Sequence, residues 1–145
     1  MRGSGILAAQ IEFDVAFHDV DMVGVVWHGH YLRYFENARW ALMDRLDYGL
    51  QNMIASGYAW PIVELRAKYI HAASFGDSLI ARACLVEYER RLAINYLISR
   101  ASDGKRVARA QSIQVAVHAA SGVLQFDCPA EFTSHVRAAI ARARV

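Results

Sequence analysis

The sequence predicts an α+β domain in which a curved antiparallel sheet of five or six strands wraps one long central helix, with a further helix at the C-terminus. Three observations carry this reading. Apolar residues at 31, 34, 35, 38, 42 and 46, with Ala41 beside them, follow the spacing of a helix with one broad buried face. Around that helix, short segments alternate apolar and polar residues with period two and are separated by turn-forming residues. Most strands follow the helix and their connections are short, which favours an antiparallel sheet with segregated helices over a βαβ arrangement.

In chain order, Ile11, Phe13, Val15 and Phe17 alternate with Glu12, Asp14 and Ala16 to give the first strand. It runs into the loop Asp21-Met-Val-Gly24-Val-Val-Trp27-His28-Gly29-His30. The helix is expected over about Tyr31 to Leu46, with Arg33, Glu36, Asn37, Asp44 and Asp47 on its polar side and Gly49 ending it at positive φ. Leu50 to Tyr58 reads as a short helical piece closed by Gly57. From Pro61 a second strand places Val63, Leu65, Ala67 and Tyr69 on one face and Glu64, Arg66 and Lys68 on the other. After a turn at Ser74-Phe-Gly76-Asp77, a third strand spans about Leu79 to Tyr88, and Glu89-Arg90-Arg91 breaks it from a fourth through Leu92, Ile94, Tyr96 and Ile98. Asp103-Gly104 predicts a type I′ hairpin, in which both central residues take positive φ. A long fifth strand is expected over about Arg106 to His118, then a turn at Ser121-Gly122. Pro129 suits the first position of a closing helix that runs to about Ala141, with Asp127 or Cys128 as its cap. Ala81, Ala83, Ala108, Ala110 and Ala116 supply small side chains that let a helix approach the sheet.

A chain of 145 residues without an internal linker predicts a single domain over 1–145. A hydrophobic content of 55% and only two prolines argue for an ordered core. The formal net charge of +2 is too small to indicate nucleic acid as a partner. Cys84 and Cys128 lack ligand or redox-motif spacing, and reduced thiols in a cytoplasmic chain are the simplest reading. No apolar run approaches the roughly 18 residues of a membrane-spanning helix. Residues 1–5 lack a signal-peptide core and are expected to be disordered or a cloning remnant. His18, His71, His118 and His135 show no ligand spacing, so no metal is expected.

The loop before the helix is where chemistry is expected. It delivers Asp21 and His28 to the helix N-terminus, where unpaired backbone N–H groups and the positive end of the dipole lie. An ionised carboxylate can attack a carbonyl or take a proton from water, and oriented N–H donors stabilise the oxyanion that forms. A plain alternative for Asp21 is an acceptor for its own turn, and Gly24 is a turn glycine in either case. Asp19 is expected to face solvent, as neighbouring acids in one turn usually do. His30 is read as structural. Glu36 is expected to pair with Arg39 along the helix or to meet a partner subunit.

The stretch Phe17-His-Asp-Val-Asp21-Met-Val-Gly24-Val-Val-Trp27-His28-Gly-His-Tyr31-Leu-Arg-Tyr-Phe-Glu36-Asn-Ala-Arg39 resembles the signature of hotdog-fold acyl-CoA thioesterases. The branch is that of 4-hydroxybenzoyl-CoA thioesterase and the thioesterases of the bacterial Tol-Pal cluster. Trp60-Pro-Ile-Val63 and Gly76-Asp77-Ser-Leu79 extend the likeness over nearly the whole chain. The resemblance implies hydrolysis of an acyl- or aroyl-CoA to the free acid and coenzyme A, which enters as part of the substrate, with no separate cofactor. It maps the catalytic carboxylate onto Asp21, as nucleophile or general base, and the carbonyl-polarising position onto His28, through its backbone N–H or its ring. Phe17 stands where Tol-Pal members tend to carry Tyr, so a hydroxyl role there is absent.

The resemblance further implies a homodimer or homotetramer whose helices pack side by side under one continuous sheet, with active sites at the subunit interface. Arg90 and Arg91 match the family's nucleotide-binding place, and Arg66 and Lys68 are further candidates for the phosphates of coenzyme A. Trp27, Tyr31 and Trp60 are assigned to the acyl pocket. Two other readings are a thioesterase acting on acyl carrier protein and a non-catalytic acyl-CoA-binding module.

Overall fold

The structure is a computed structural model that describes residues 5–144. Residues 1–4, which carry most of the segment set aside above, lie outside it. Strand β1 (Leu7–Asp14) leads through a 3₁₀ turn (Phe17–Asp19) and the loop to helix α1 (His30–Arg45). Helix α2 (Leu50–Ser56) and strands β2 (Tyr58–Ala59) and β3 (Ile62–Tyr69) follow. Strands β4 (Ser78–Glu87), β5 (Leu92–Arg100), β6 (Arg106–Gln114) and β7 (Val117–His118) precede helix α3 (Ala130–Ala143). The main sheet is antiparallel with order β1-β4-β5-β6-β3, and β2 pairs with β7 in a separate ribbon.

Helix α1 lies against β1, β4 and β5. Its stripe of Tyr31, Tyr34, Phe35, Ala38, Leu42 and Met43 is buried, as the periodicity requires. Opposite it the sheet presents Leu79, Ala81, Ala83, Leu85, Ile94, Tyr96 and Ile98, all buried. The alanines leave room for the helix, and Phe35 packs on Tyr96 at 5.3 Å between ring centroids. Each fully buried Leu or Met here contributes about 1.5–3 kcal/mol. Helix α3 closes the far end: Phe132 meets Trp60 at 4.7 Å and Tyr48 at 5.0 Å. Cys84 and Cys128 are both free and buried, and burial pushes the Cys128 thiol up to about 12.

Local structure departs from the sequence expectation at five places. Helix α1 stops at Leu46, and the left-handed residue is Asp47 (φ 55°), whereas Gly49 is extended and caps α2. The Tyr48 N–H donates to Met43 O (2.9 Å) and the Asp47 N–H to Asp44 O (3.0 Å), which is a Schellman motif with Asp47 at C′. Leu46 and Tyr48 are both fully buried, so the reversal falls on the residue between them. In the β5–β6 turn only Gly104 has positive φ, and Asp103 does not. The loop is longer than a type I′ turn because Arg100 pairs with Lys105 and the Asp103 carboxylate accepts the Lys105 N–H. The expected fifth strand ends at Gln114, and β7 leaves the sheet to pair with β2; the apolar alternation continues through the break and cannot mark it. Pro129 is the N-cap of α3 and not its first helical residue, so the helix starts one residue later than expected and neither Asp127 nor Cys128 caps it.

The fifth departure has functional weight. The alternation places Val63, Leu65, Ala67 and Tyr69 on one apolar face of β3, yet every residue in the strand is exposed. It is the edge of the sheet, and α1 covers the opposite half.

Replacing Asp47 with Gly should remove left-handed strain at the helix terminus without touching a core contact. Thermal unfolding is expected to show a gain of about 0.5–1 kcal/mol; a loss would mean that the carboxylate holds the turn.

Candidate active site

The loop from Asp19 to Trp27 is a small hairpin. Its foot is the Trp27 N–H donating to Asp19 O at 3.0 Å, and Val20 bridges Val26 above it. At the tip the Asp21 N–H donates to Val25 O (2.8 Å) and the Gly24 N–H to Asp21 O (3.0 Å), with Gly24 at φ 85°. The Asp21 side chain is exposed. Its Oδ1 accepts the Val23 N–H at 2.9 Å and, more weakly, the Val25 N–H at 3.4 Å. Among the described residues Oδ2 has no protein donor. The turn-acceptor role and an available carboxylate oxygen therefore coexist in one side chain. The hairpin is tied down by the Val26 N–H to Ala73 O (2.8 Å) and by a bridge from Val25 to Ser74.

The other arm of the hairpin runs into α1. Gly29 is its N-cap and offers no side-chain acceptor. Among the described residues, the backbone N–H groups of His28 and Gly29 have no protein partner, and they lie at the positive end of the α1 dipole. Gly29 is required by packing: a Cβ there would collide with the Trp27 ring. Trp27 also stacks against His28 and His30, with centroids 5.0 and 5.4 Å away. The exposed His28 ring lies edge-on to Tyr69 (6.3 Å), whose hydroxyl donates to His28 O at 3.1 Å. Tyr31 is buried beside Tyr69 (5.4 Å), and burial raises its hydroxyl pKa. Asp21 sits about two residues, or roughly 7 Å, along the hairpin from its foot at the Trp27 peptide.

Asp19 overturns its expectation. It is 3% exposed, with Oδ2 accepting the Tyr34 hydroxyl at 2.7 Å and an Arg33 guanidinium N–H at 2.6 Å. Its Oδ1 is buried without a hydrogen-bond partner, with His18 Nε2 at 3.5 Å and His30 Nδ1 at 4.0 Å. Burial alone would raise the Asp19 pKa, but the hydrogen bonds from Arg33 and Tyr34 outweigh it and hold the carboxyl below its usual 3.8. The same side chain raises the Tyr34 hydroxyl, after burial. Thus Asp19 ties the 3₁₀ turn to the first turn of α1, and its carbonyl fixes the foot of the hairpin. Asp19, Arg33 and Tyr69 escaped the sequence reading. The only available signal for the first two was an acid just before a helix whose first turn carries Arg and Tyr.

The remaining candidates divide between two ends of the molecule. Lys68 and Arg66 are exposed on β3, near Tyr69, and Arg66 pairs with Glu64 at 3.1 Å. Arg90 and Arg91 lie on the β4–β5 turn at the opposite end of the sheet, and Arg91 pairs with Glu87 at 3.0 Å. Trp60 is buried against Phe132 and Tyr48 at the C-terminal end of α1, roughly 24 Å of helix from its start. One chain therefore brings together Asp21, Gly24, Trp27, His28 and Tyr31, and leaves Trp60, Arg90 and Arg91 apart from them. Glu36 accepts from Arg39 Nε (3.2 Å) and Trp40 Nε1 (3.0 Å), which is the expected pairing along the helix.

Residues 15–140 match the sequence profile of the thioesterase-like superfamily. The chain belongs to that superfamily. Thioester hydrolysis is the reaction class this membership carries, and the helix wrapped by its sheet is the hotdog fold. The chain is 27% identical over 126 residues to 4-hydroxybenzoyl-CoA thioesterase of Pseudomonas sp. strain CBS-3, covering 81% of this chain and 89% of that one. It is 29% identical over 108 residues to 1,4-dihydroxy-2-naphthoyl-CoA hydrolase of Synechocystis, covering 73% and 78%. The crystal structure of a Synechocystis 1,4-dihydroxy-2-naphthoyl-CoA thioesterase superposes with a TM-score of 0.81 at 24% identity, over 95% of this chain and 98% of that one. A Staphylococcus aureus protein solved in complex with CoA gives 0.82 at 13% identity, over 93% and 85%.

Two outcomes follow. Because the folded-state pKa of Asp19 lies below the unfolded value, the stability it supplies is complete above about pH 4 and is lost as pH falls through the folded value. Asp19→Asn should therefore cost about 1–3 kcal/mol at pH 7 by chemical denaturation, and the deficit should shrink below pH 4. A deficit independent of pH would assign the loss to packing. Gly29→Ala should lower stability measurably, since the Trp27 ring must move to admit the methyl group.

Proposed function

We propose that the protein is an acyl- or aroyl-CoA thioesterase in which Asp21 drives hydrolysis beside an oxyanion site at the start of α1. The observation that carries this reading is the exposed Asp21 carboxylate, one oxygen without a protein donor, on a pinned hairpin that leads directly into the start of α1, where the His28 and Gly29 N–H groups have no protein partner among the described residues. The thioester carbonyl oxygen accepts from those N–H groups, and developing negative charge meets donors already oriented by the helix. As general base, Asp21 takes a proton from a water molecule whose oxygen attacks the carbonyl carbon. As nucleophile, it attacks the carbon itself and water then hydrolyses the anhydride. Either route forms a carbon–oxygen bond, breaks the carbon–sulfur bond and releases the thiolate of coenzyme A. That thiolate is a good leaving group, so no strong acid is needed. Trp27 and Tyr31 border the reacting end of the acyl group.

The assembly proposed with this chemistry is a dimer through β3. Its exposed edge offers free ladder groups together with Ile62, Val63, Leu65 and Tyr69, each more than a third exposed. Antiparallel pairing of two such edges would bring the partner subunit's Ile62 end beside this subunit's Tyr69 and His28. It would also carry the partner subunit's Arg90 and Arg91, and the region of its Trp60, toward the end of the sheet where Asp21 lies. Supporting names among similar proteins are the CoA thioesterases above and a 4-hydroxybenzoyl-CoA thioesterase variant solved with 4-hydroxybenzoyl-CoA.

The test is thiol release from a panel of acyl- and aroyl-CoA thioesters. Asp21→Asn should lower kcat by roughly 10²-fold or more, with the fold retained by circular dichroism. Because the proposed oxyanion donors belong to the backbone, His28→Ala should cost less than about tenfold in the same assay. Full activity in Asp21→Asn would place the chemistry elsewhere, and silence of the wild type across the panel would overturn the substrate class.

A further inference from the structure

The face of the sheet turned away from α1 carries charge that the fold does not use. Register places Arg82, Leu97, Arg109 and Lys68 in one transverse row across β4, β5, β6 and β3. Ala110, the neighbour of Arg109, is buried opposite Tyr96 on the helix side, so Arg109 and Gln111 project outward, as do their register partners Lys68 and Arg66. Between β3 and β6 these side chains line a groove of about 360 Å³.

Two features of this groove are unfavourable in the chain by itself. Lys68 lies directly opposite Arg109, and like charges in that relation destabilise a strand pair. Among the described residues neither has a carboxylate within ion-pair distance, whereas Arg66 is drawn to Glu64. Gln111 is held by donating to Asn95 Oδ1 at 2.8 Å. No aromatic side chain lines the groove, so it offers nothing on which to stack a base. Its chemistry is that of point and forked cations lining one small hollow floored by alanines.

We propose that this outer-face groove is a binding site for a phosphate or diphosphate group, gripped chiefly by Lys68 and Arg109 with Arg66 on its flank. An anion between Lys68 and Arg109 turns their mutual repulsion into two favourable contacts, which accounts for a costly pairing on an otherwise well-formed sheet. The phosphates come either from the coenzyme A end of the substrate or from a separate phosphorylated ligand. The site itself does not rest on the thioesterase reading, because it is tested by binding.

The experiment is calorimetric titration of inorganic pyrophosphate into the whole protein and into Arg109→Gln. Arg137→Gln, which removes an equal charge from an exposed position on α3, is the control. Wild type and the control should bind alike, and Arg109→Gln should bind about tenfold or more weakly. The same substitution should raise the melting midpoint of the ligand-free protein by about 1–2 °C, since it relieves the opposed charges; a purely structural arginine would lower it. Equal binding in all three proteins, or none in the wild type, overturns the proposal. A second titration, with coenzyme A, separates the sources. Loss of coenzyme A affinity in Arg109→Gln, with a raised KM for thioesters at unchanged kcat, assigns the groove to the substrate. Loss of pyrophosphate binding with coenzyme A affinity intact assigns it to a separate phosphorylated ligand.

Discussion

Burial of the α1 stripe against β1, β4 and β5 sets one rotation of the helix on the sheet, and the site depends on that rotation. With Phe35, Leu42 and Met43 turned into the core, the first turn presents Arg33 and Tyr34 toward the 3₁₀ turn. A helix rotated by one residue would lose the core contacts and the Asp19 contacts together. The start of the helix, with its unpaired N–H groups, would then shift relative to the hairpin that carries Asp21. Packing worth several kcal/mol thus aims a set of dipoles whose own contribution to stability is small.

Two acids two residues apart have opposite fates because of what surrounds them. Asp19 is enclosed by Arg33 and Tyr34 and is held ionised by their hydrogen bonds in spite of burial. Asp21 is exposed and shares only its Oδ1 with the turn, its other oxygen having no protein donor among the described residues. The buried acid holds the geometry and the exposed one is free for chemistry. With the strong ion pair at Asp19, the carboxylate proposed to be catalytic has no cation within ion-pair distance among the described residues.

The sheet is unequal in the same way. Its β1-β4-β5 half is covered by α1 and buries alanines and branched side chains. Its β3 edge exposes apolar residues toward one face and, toward the other, Lys68 opposite Arg109. Uncovered apolar edges and opposed like charges both lower the stability of an isolated chain. They are the positions at which the proposed association and the proposed anion binding would recover free energy.

The sequence by itself determined the helix, the strands and the loop that joins them, because hydrophobic periodicity is a local property that burial enforces residue by residue. The 17–39 motif was enough to single out Asp21, Gly24 and His28, and the family resemblance it carries agrees with the superfamily match. Tertiary structure alone decided that Asp19 is buried, that Asp47 and not Gly49 reverses the chain, and that β3 is an edge. Each of these depends on what lies across space: Arg33 and Tyr34 for Asp19, the burial of both Leu46 and Tyr48 for Asp47, and the reach of α1 for β3. The same holds for the separation of Trp60 and Arg90 from Asp21 within one chain, and for the meeting of Lys68 with Arg109. Strand register sets both, and register is settled by the packing of the whole sheet.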